Sequence, residues 1–282
     1  MIVKNLSNTS FDELLNCFLL AFNDYFVPVP TEKSYYENRW KAAKVDFNCS
    51  YGMFDNEKLV GFIIHAIDKR NGTLVAFNTG TGVIPEYRGR RIVKAIYEHA
   101  LRDFVKKGVE KSTLEVITKN DIAIRLYKGV GFETCKKYKC FKGKLKIDPS
   151  VQVEIREMDV KHIDWTSLPN QQLYSWDNQK ESIVEGNYRF FHVLHDNQPE
   201  SFFIIDPDQG YLPQFDLLST EKNGWKRLFS GIKQVAATIK INNVDERLKE
   251  KLDNLRLVGL NNSIDQFEME MTLTTGNDKL SD

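Results

Sequence analysis

Residues 78–101 read NTGTGVIPEYRGRRIVKAIYEHAL, and the fold of the chain turns on how this stretch is parsed. Pro85 ends a strand pattern, and from about Arg90 apolar residues return at helical spacing: Ile92, Ile96, Leu101, then Phe104 and Val105. Gly108 closes that run after Lys107. A strand therefore passes through a short turn into the N-terminus of a helix. Such a terminus offers unpaired amides and a partial positive charge, and here Arg88, Arg90 and Arg91 stand beside them, a combination suited to a phosphorylated ligand. Two familiar phosphate loops are excluded. Gly80 and Gly82 lie within the strand while Pro85 takes the third position of GxGxxG, and no GxxxxGK[ST] occurs.

Upstream, residues 1–4 form a short strand pattern, and Ser10 with Glu13 makes a capping box ahead of Phe11, Leu14, Leu15, Phe18, Leu19 and Phe22. FVPVP at 26–30 breaks that helix, and Thr31–Lys44 reads as a second. Cys49–Phe54, Leu59–Asp68 and Thr73–Val83, joined at Asp55-Asn56 and Asn71-Gly72, form a three-strand antiparallel meander. Downstream come a strand at Lys111–Val116, a helix at Asn120–Val130 closed by Gly131, and a strand or hairpin from Phe132 to Leu145. This order predicts an α+β fold with a mixed, mostly antiparallel sheet flanked by helices.

With 282 residues, two domains are the better expectation, and GKLKIDPSVQ at 143–152 is the candidate linker. DNQPESFFII at 196–205 matches DNEKLVGFII at 55–64, and strand Val153–Ile155, helix Trp225–Ala237, strand Thr238–Ile241 and helix Val244–Leu255 follow the first half's plan. The expected division is 1–146, 152–276 and a tail at 277–282.

Lysine plus arginine and aspartate plus glutamate both total 39, so no cationic excess draws the chain to nucleic acid or an anionic membrane. Cys17, Cys49, Cys135 and Cys140 lack CxxC spacing and a suitable histidine pair, so no metal site is expected and the thiols read as reduced. His192 and His195 are three apart in a strand pattern and so face opposite sides. No signal-peptide core opens the chain and its apolar runs are too short to span a bilayer, which makes a cytoplasmic location the expectation.

VIPEYRG with its following helix, together with NDIAIRLYKGVGF at 120–132, resembles the GNAT family of acetyl-CoA-dependent N-acyltransferases, and the element order is that family's. The resemblance is strong over 1–145 and implies two GNAT-like domains. In this family the turn wraps the pyrophosphate of coenzyme A with backbone amides in a pattern [QR]xxGx[GA]. The matching positions are Arg88, Gly89, Arg90, Arg91, Ile92 and Val93, so Arg91 and Val93 stand where the pattern has small residues. A positive φ at either would cost about 1–2 kcal/mol. The expectation is a right-handed helical conformation at both, with Arg91 adding charge to the phosphate clamp.

The second motif, NxxAxxLYxxxGF, is intact at Asn120, Ala123, Leu126, Tyr127, Gly131 and Phe132. Asn120 caps its helix and is placed to bond the pantetheine arm, and Ala123 leaves room for it. The strand backbone at Gly82, Val83 and Ile84 would hydrogen-bond the same arm. Tyr127, protonated at neutral pH, would donate to the departing thiolate. Glu115 resembles the base or water-holding carboxylate of several members, and Asn78 is a second group able to position water or acceptor. Tyr25, Phe26, Tyr35, Tyr36 and Trp40 are candidate acceptor lining. Arg256 and Leu257 fall near the place of Gly131 and Phe132, and Lys251 and Leu252 near that of Leu126 and Tyr127, so the second half reads as a degenerate copy. The expected activity is acetyl transfer from acetyl-CoA to a primary amine of a small molecule or peptide. The alternative is a catalytically silent acyl-CoA-binding regulatory or partner-recruiting module. The sequence leaves the oligomeric state open.

Overall fold

The computed structural model describes residues 1–273 and divides into two compact units, residues 1–135 with 268 onward, and residues 136–267. The expected tail at 277–282 lies outside the described residues. The first unit runs β1 (Ile2–Asn5), α1 (Phe11–Ala21), α2 (Lys33–Ala42), β2 (Tyr51–Asp55), β3 (Lys58–Arg70), β4 (Thr73–Val83), α3 (Ile92–Lys106), β5 (Lys111–Ile117) and α4 (Asp121–Val130). Its strands lie side by side in chain order, antiparallel as far as β4 and parallel between β4 and β5.

Local chemistry sets these elements. Ser10 Oγ accepts from the Glu13 amide at 3.2 Å, a cap worth about 1 kcal/mol, and α1 then buries Leu14, Leu15 and Phe18. α2 is shorter than its sequence pattern at both ends; at the second, Lys44 takes a left-handed φ of 64° that no right-handed helix accommodates. In β4, Ile64 pairs with Gly80 and His65 with Asn78, leaving Thr79 as an extra residue. This bulge bends the strand, and the parallel register of β4 with β5 runs from Val75↔Lys111 only to Asn78↔Leu114. Beyond it the ends of the two strands part.

The second unit repeats the plan with β6 (Glu133–Lys144), β7 (Glu154–Met158), α5 (Lys180–Ile183), β8 (Arg189–His195), β9 (Gln198–Asp206), β10 (Tyr211–Leu217), α6 (Gly224–Val235), β11 (Thr238–Asp245), α7 (Lys249–Leu257) and β12 (Asn261–Thr272). Asp196 and Asn197, with φ of 50° and 62°, make the two-residue turn between β8 and β9 that the repeated DN motif marks. Phe203, Phe215, Leu228, Phe229 and Ile232 are among the residues of its core. Each unit is a mixed, mostly antiparallel sheet with flanking helices.

The division falls inside β6, at Cys135/Lys136, and not in the 143–152 stretch that composition singles out. From Tyr138↔Asp245 to Lys144↔Thr238, β6 is built antiparallel onto β11 of the second unit. The end of the chain completes the first unit instead: the Leu273 amide donates to the Glu110 carbonyl at 2.8 Å, and Lys111 Nζ pairs with Glu270 at 2.8 Å.

Candidate active site

Where β4 and β5 part, the first unit holds a cleft of about 470 Å³. Its lining includes Asn78 to Val83 from β4, Glu115 and Val116 from β5, Asn120, Ala123 and Tyr127 of the α4 region, and Tyr25 and Phe26 after α1. The cleft thus gathers most of the candidate residues from segments separated in sequence. Glu115 sits one residue past Leu114, the last residue of β5 in register with β4, and one of its carboxylate oxygens is buried. Gly82 is required at close quarters, because a Cβ there would lie 2.6 Å from Phe62 Cζ and 2.7 Å from Ala21 Cβ.

Tyr127 is 7% exposed, and burial pushes its phenol up to about 12 even though hydrogen bonds from Thr81 and Asn78 work in the opposite direction. It is therefore a neutral donor across the ordinary pH range. Asn78 ties this floor together: its Nδ2 donates to Thr81 Oγ1 at 2.7 Å and to the Tyr97 hydroxyl at 2.5 Å, and its Oδ1 accepts from the Gly80 amide at 3.0 Å. Thr79 Oγ1 is buried without a hydrogen-bond partner. Asn120 caps α4, its Oδ1 accepting from the Ala123 amide at 3.2 Å. Burial also raises the phenol of Tyr25, and a hydrogen bond with Asn120 opposes that rise.

The turn between β4 and α3 departs from expectation at Arg91. This residue is left-handed, φ 58° and ψ 23°, and α3 starts only at Ile92, so the position retains a glycine-like conformation while carrying an arginine. The associated strain is about 1–2 kcal/mol. Val93, in contrast, lies within the helix as expected. Gly89, φ 78°, supplies a second left-handed step. Arg90 stacks on Tyr87, 4.6 Å from guanidinium to ring centroid, and Nη2 donates to the Glu86 carbonyl at 3.1 Å. Arg88 turns away from the turn to grip the segment after α1. Its Nη1 and Nη2 donate to the two Asp24 oxygens at 2.5 and 2.7 Å, while Nε reaches the Val83 carbonyl at 3.2 Å and Nη2 the Ala21 carbonyl at 3.1 Å.

Other candidates belong to the interior. Tyr36 is 2% exposed, donates its hydroxyl to the Pro30 carbonyl at 2.8 Å and packs against Phe18 and Trp40, so it builds the core beneath the cleft and does not line it. Trp40 is buried in the same cluster, and Tyr35 packs edge-on against Tyr36. Ile92 is buried core. The Ile84 amide is already bonded to the Val60 carbonyl at 3.1 Å, which leaves it none to offer a pantetheine arm. Sequence reasoning missed Asp24, Thr81 and Tyr97; only Thr81 carried a local signal, as a strand residue two positions from Thr79.

The corresponding place in the second unit is filled by its own chain. β10 and β11 are parallel at Tyr211↔Lys240, and residues 170–178 cover the strand ends beyond. Tyr211 donates to Asn178 Oδ1 at 2.6 Å, Gln214 donates to the Asn178 carbonyl at 2.7 Å, and Gln171 donates to Gln214 Oε1 at 2.9 Å. Lys251 of α7, 3% exposed, closes the gap with Nζ 2.8 Å from Asp216 and 2.7 Å from the Phe215 carbonyl. The space left is about 10 Å³. No group of three or more residues suited to a metal ion occurs among the described residues, and no described helix is long and apolar enough to cross a membrane.

Residues 13–132 match the model of the acetyltransferase (GNAT) family. No curated protein matches the sequence. Among solved structures, a tandem GNAT protein from the clavulanic acid biosynthesis pathway superposes with a TM-score of 0.69 at 13% identity, over 97% of this chain and 98% of that one. A GCN5-related N-acetyltransferase from Sphaerobacter thermophilus gives 0.68 at 8% identity, over 96% and 95%. One from Anabaena variabilis gives 0.61 at 14%, over 97% and 73%. The phosphate-type turn, the splayed parallel strands and the tyrosine helix thus occur together in the segment that the GNAT family model matches, and the fold of the chain is similar to that of a tandem GNAT protein.

Proposed function

We propose that the first unit transfers an acetyl group from acetyl-CoA to a primary amine by direct attack in a ternary complex. The observation that carries this reading is the cleft between β4 and β5 with the neutral phenol of Tyr127 on its wall. The residues fit the co-substrate: Gly82 is in the lining and has no side chain of its own, Thr79 Oγ1 is a buried polar atom awaiting a partner, and the turn at Gly89–Val93 presents helix amides next to Arg91. Gly82 and Val83 would hold the pantetheine arm, Ala123 would pack against it, and Asn120 would bond it.

Acetyl-CoA supplies a thioester carbonyl, which the amine nitrogen attacks before the carbon–sulfur bond breaks. Tyr127 gives its proton to the leaving sulfur and is neutral when needed. Glu115, past the end of the register, takes the proton from the attacking ammonium directly or through water that Asn78 positions. The second unit, its cleft filled, acts as a structural copy. A free-thiol release assay over a broad amine panel tests the reading. The rival, a silent acyl-CoA-binding module, draws on the arginine in the left-handed position of the turn; binding without turnover across the panel would select it.

A further inference from the structure

The acceptor's chemistry can be argued from the electrostatics and surface of the same cleft, on the acyl-transfer reading above. Among the described residues Arg88 is the cationic side chain in the lining, and its guanidinium is committed to both oxygens of Asp24 and to two backbone carbonyls. A carboxylate or phosphate on the acceptor would have to break that bidentate pair while also facing Glu115. Leaving Asp24 unpaired in exchange makes the substitution unfavourable. An ammonium leaves that pair intact, and the same lining holds the carboxylate of Glu115.

The outer wall supplies the rest. Phe22, Tyr25 and Phe26 stack edge to face, with centroids 4.8 and 5.4 Å apart. Phe26 remains 55% exposed and Ile122, also in the lining, 75% exposed. Large apolar side chains left open at the rim of a cleft are surface that an apolar ligand would cover, and the ring faces also attract an ammonium. We infer that the acceptor is a small primary amine on an apolar skeleton that carries neither carboxylate nor phosphate.

2-Phenylethylamine and phenylalanine share ring and amine and differ by one carboxylate, so they isolate the point. Thiol release by the full chain at saturating acetyl-CoA should give kcat/KM at least 100-fold higher for 2-phenylethylamine, with hexylamine also used and glucosamine 6-phosphate not. Asp24→Asn, which frees Arg88, should narrow the 2-phenylethylamine to phenylalanine ratio at least tenfold, a change that general loosening of the wall would not produce. Calorimetry of the two amines on the coenzyme A-loaded protein reads the preference without turnover. Equal or better use or binding of phenylalanine, glucosamine 6-phosphate or a tetrapeptide overturns the inference, as does failure of 2-phenylethylamine to bind. Selective binding of 2-phenylethylamine with no thiol release upholds it and overturns acyl transfer alone.

Discussion

Asn78 donates a 2.5 Å hydrogen bond to the hydroxyl of Tyr97, a side chain with no exposed surface. The bond fixes the orientation of an amide that also holds Thr81 and the Gly80 amide, so the bulged end of β4 is anchored to α3 beside Tyr127. A buried network with this many shared members costs more to disturb than its separate bonds suggest.

Removing the Tyr127 hydroxyl tests the acid. Tyr127→Phe keeps the ring and should reduce turnover about 100-fold, the lower end of general acid catalysis. The acetyl-CoA dissociation constant should stay within about threefold, well under the 1.4 kcal/mol of a tenfold change. With the phenol raised to about 12, the wild-type rate should show no loss from its ionisation below about pH 11. Near-normal turnover in the folded variant, with chemistry limiting, would remove Tyr127 from the mechanism.

Arg91→Gly separates conformation from charge at the turn. Glycine takes φ 58° without the Cβ clash, so thermal unfolding without ligand should move up by about 2 °C. Loss of the guanidinium should weaken acetyl-CoA binding several-fold, read as a smaller ligand-induced thermal shift. Arg91→Glu should weaken it further. Undiminished shifts in both variants would show that Arg91 contributes nothing to phosphate binding.

His65 makes the first unit acid-sensitive. Fully buried among Tyr51, Tyr97 and Phe104, its imidazole is lowered to about 3 by desolvation, against 6.5 for an ordinary histidine. The unfolded chain therefore binds the proton first, and stability is complete above pH 6.5 and lost as pH falls toward 3. At pH 4.5 the loss should be roughly 2–3 kcal/mol. Urea titrations of wild type and His65→Leu at pH 7 and 4.5 should show a distinctly smaller drop in the variant. Parallel drops would clear His65 of the effect.

The filled cleft of the second unit gives two checks. Calorimetry on the full chain should return one acetyl-CoA equivalent, and two would contradict the plugged geometry. Lys251→Ala leaves Asp216 buried and unpaired and should destabilise by about 3–5 kcal/mol. Burial lowers the Lys251 ammonium below its ordinary value, so this group's contribution to stability rises with pH over the range between its folded pKa and 10.5.

Much of this was written locally in the chain. The capping serine of α1, the DN turns, and the motif placing Asn120, Ala123 and Tyr127 on one short helix are each readable within about a dozen residues. Tyr36 lies in the core and not in the cleft; aromatic spacing on a helix shows a face without showing what covers it. Sterics favour a right-handed conformation at Arg91, and the surrounding turn overrides that preference. The Arg88–Asp24 pair joins residues 64 apart, and no pattern in either segment announces the other.

Order of synthesis gives the exchanged strands a temporal meaning. Residues 1–135 leave the ribosome first, yet Glu110 and Lys111 must wait for Leu273 and Glu270 before the edge of β5 is covered. Until residues 270–273 are made, that edge is open to pairing with other nascent chains. A chain stopped near residue 260 would lack the Leu273 and Glu270 contacts of the cleft-bearing half, whose two segments are not contiguous in sequence.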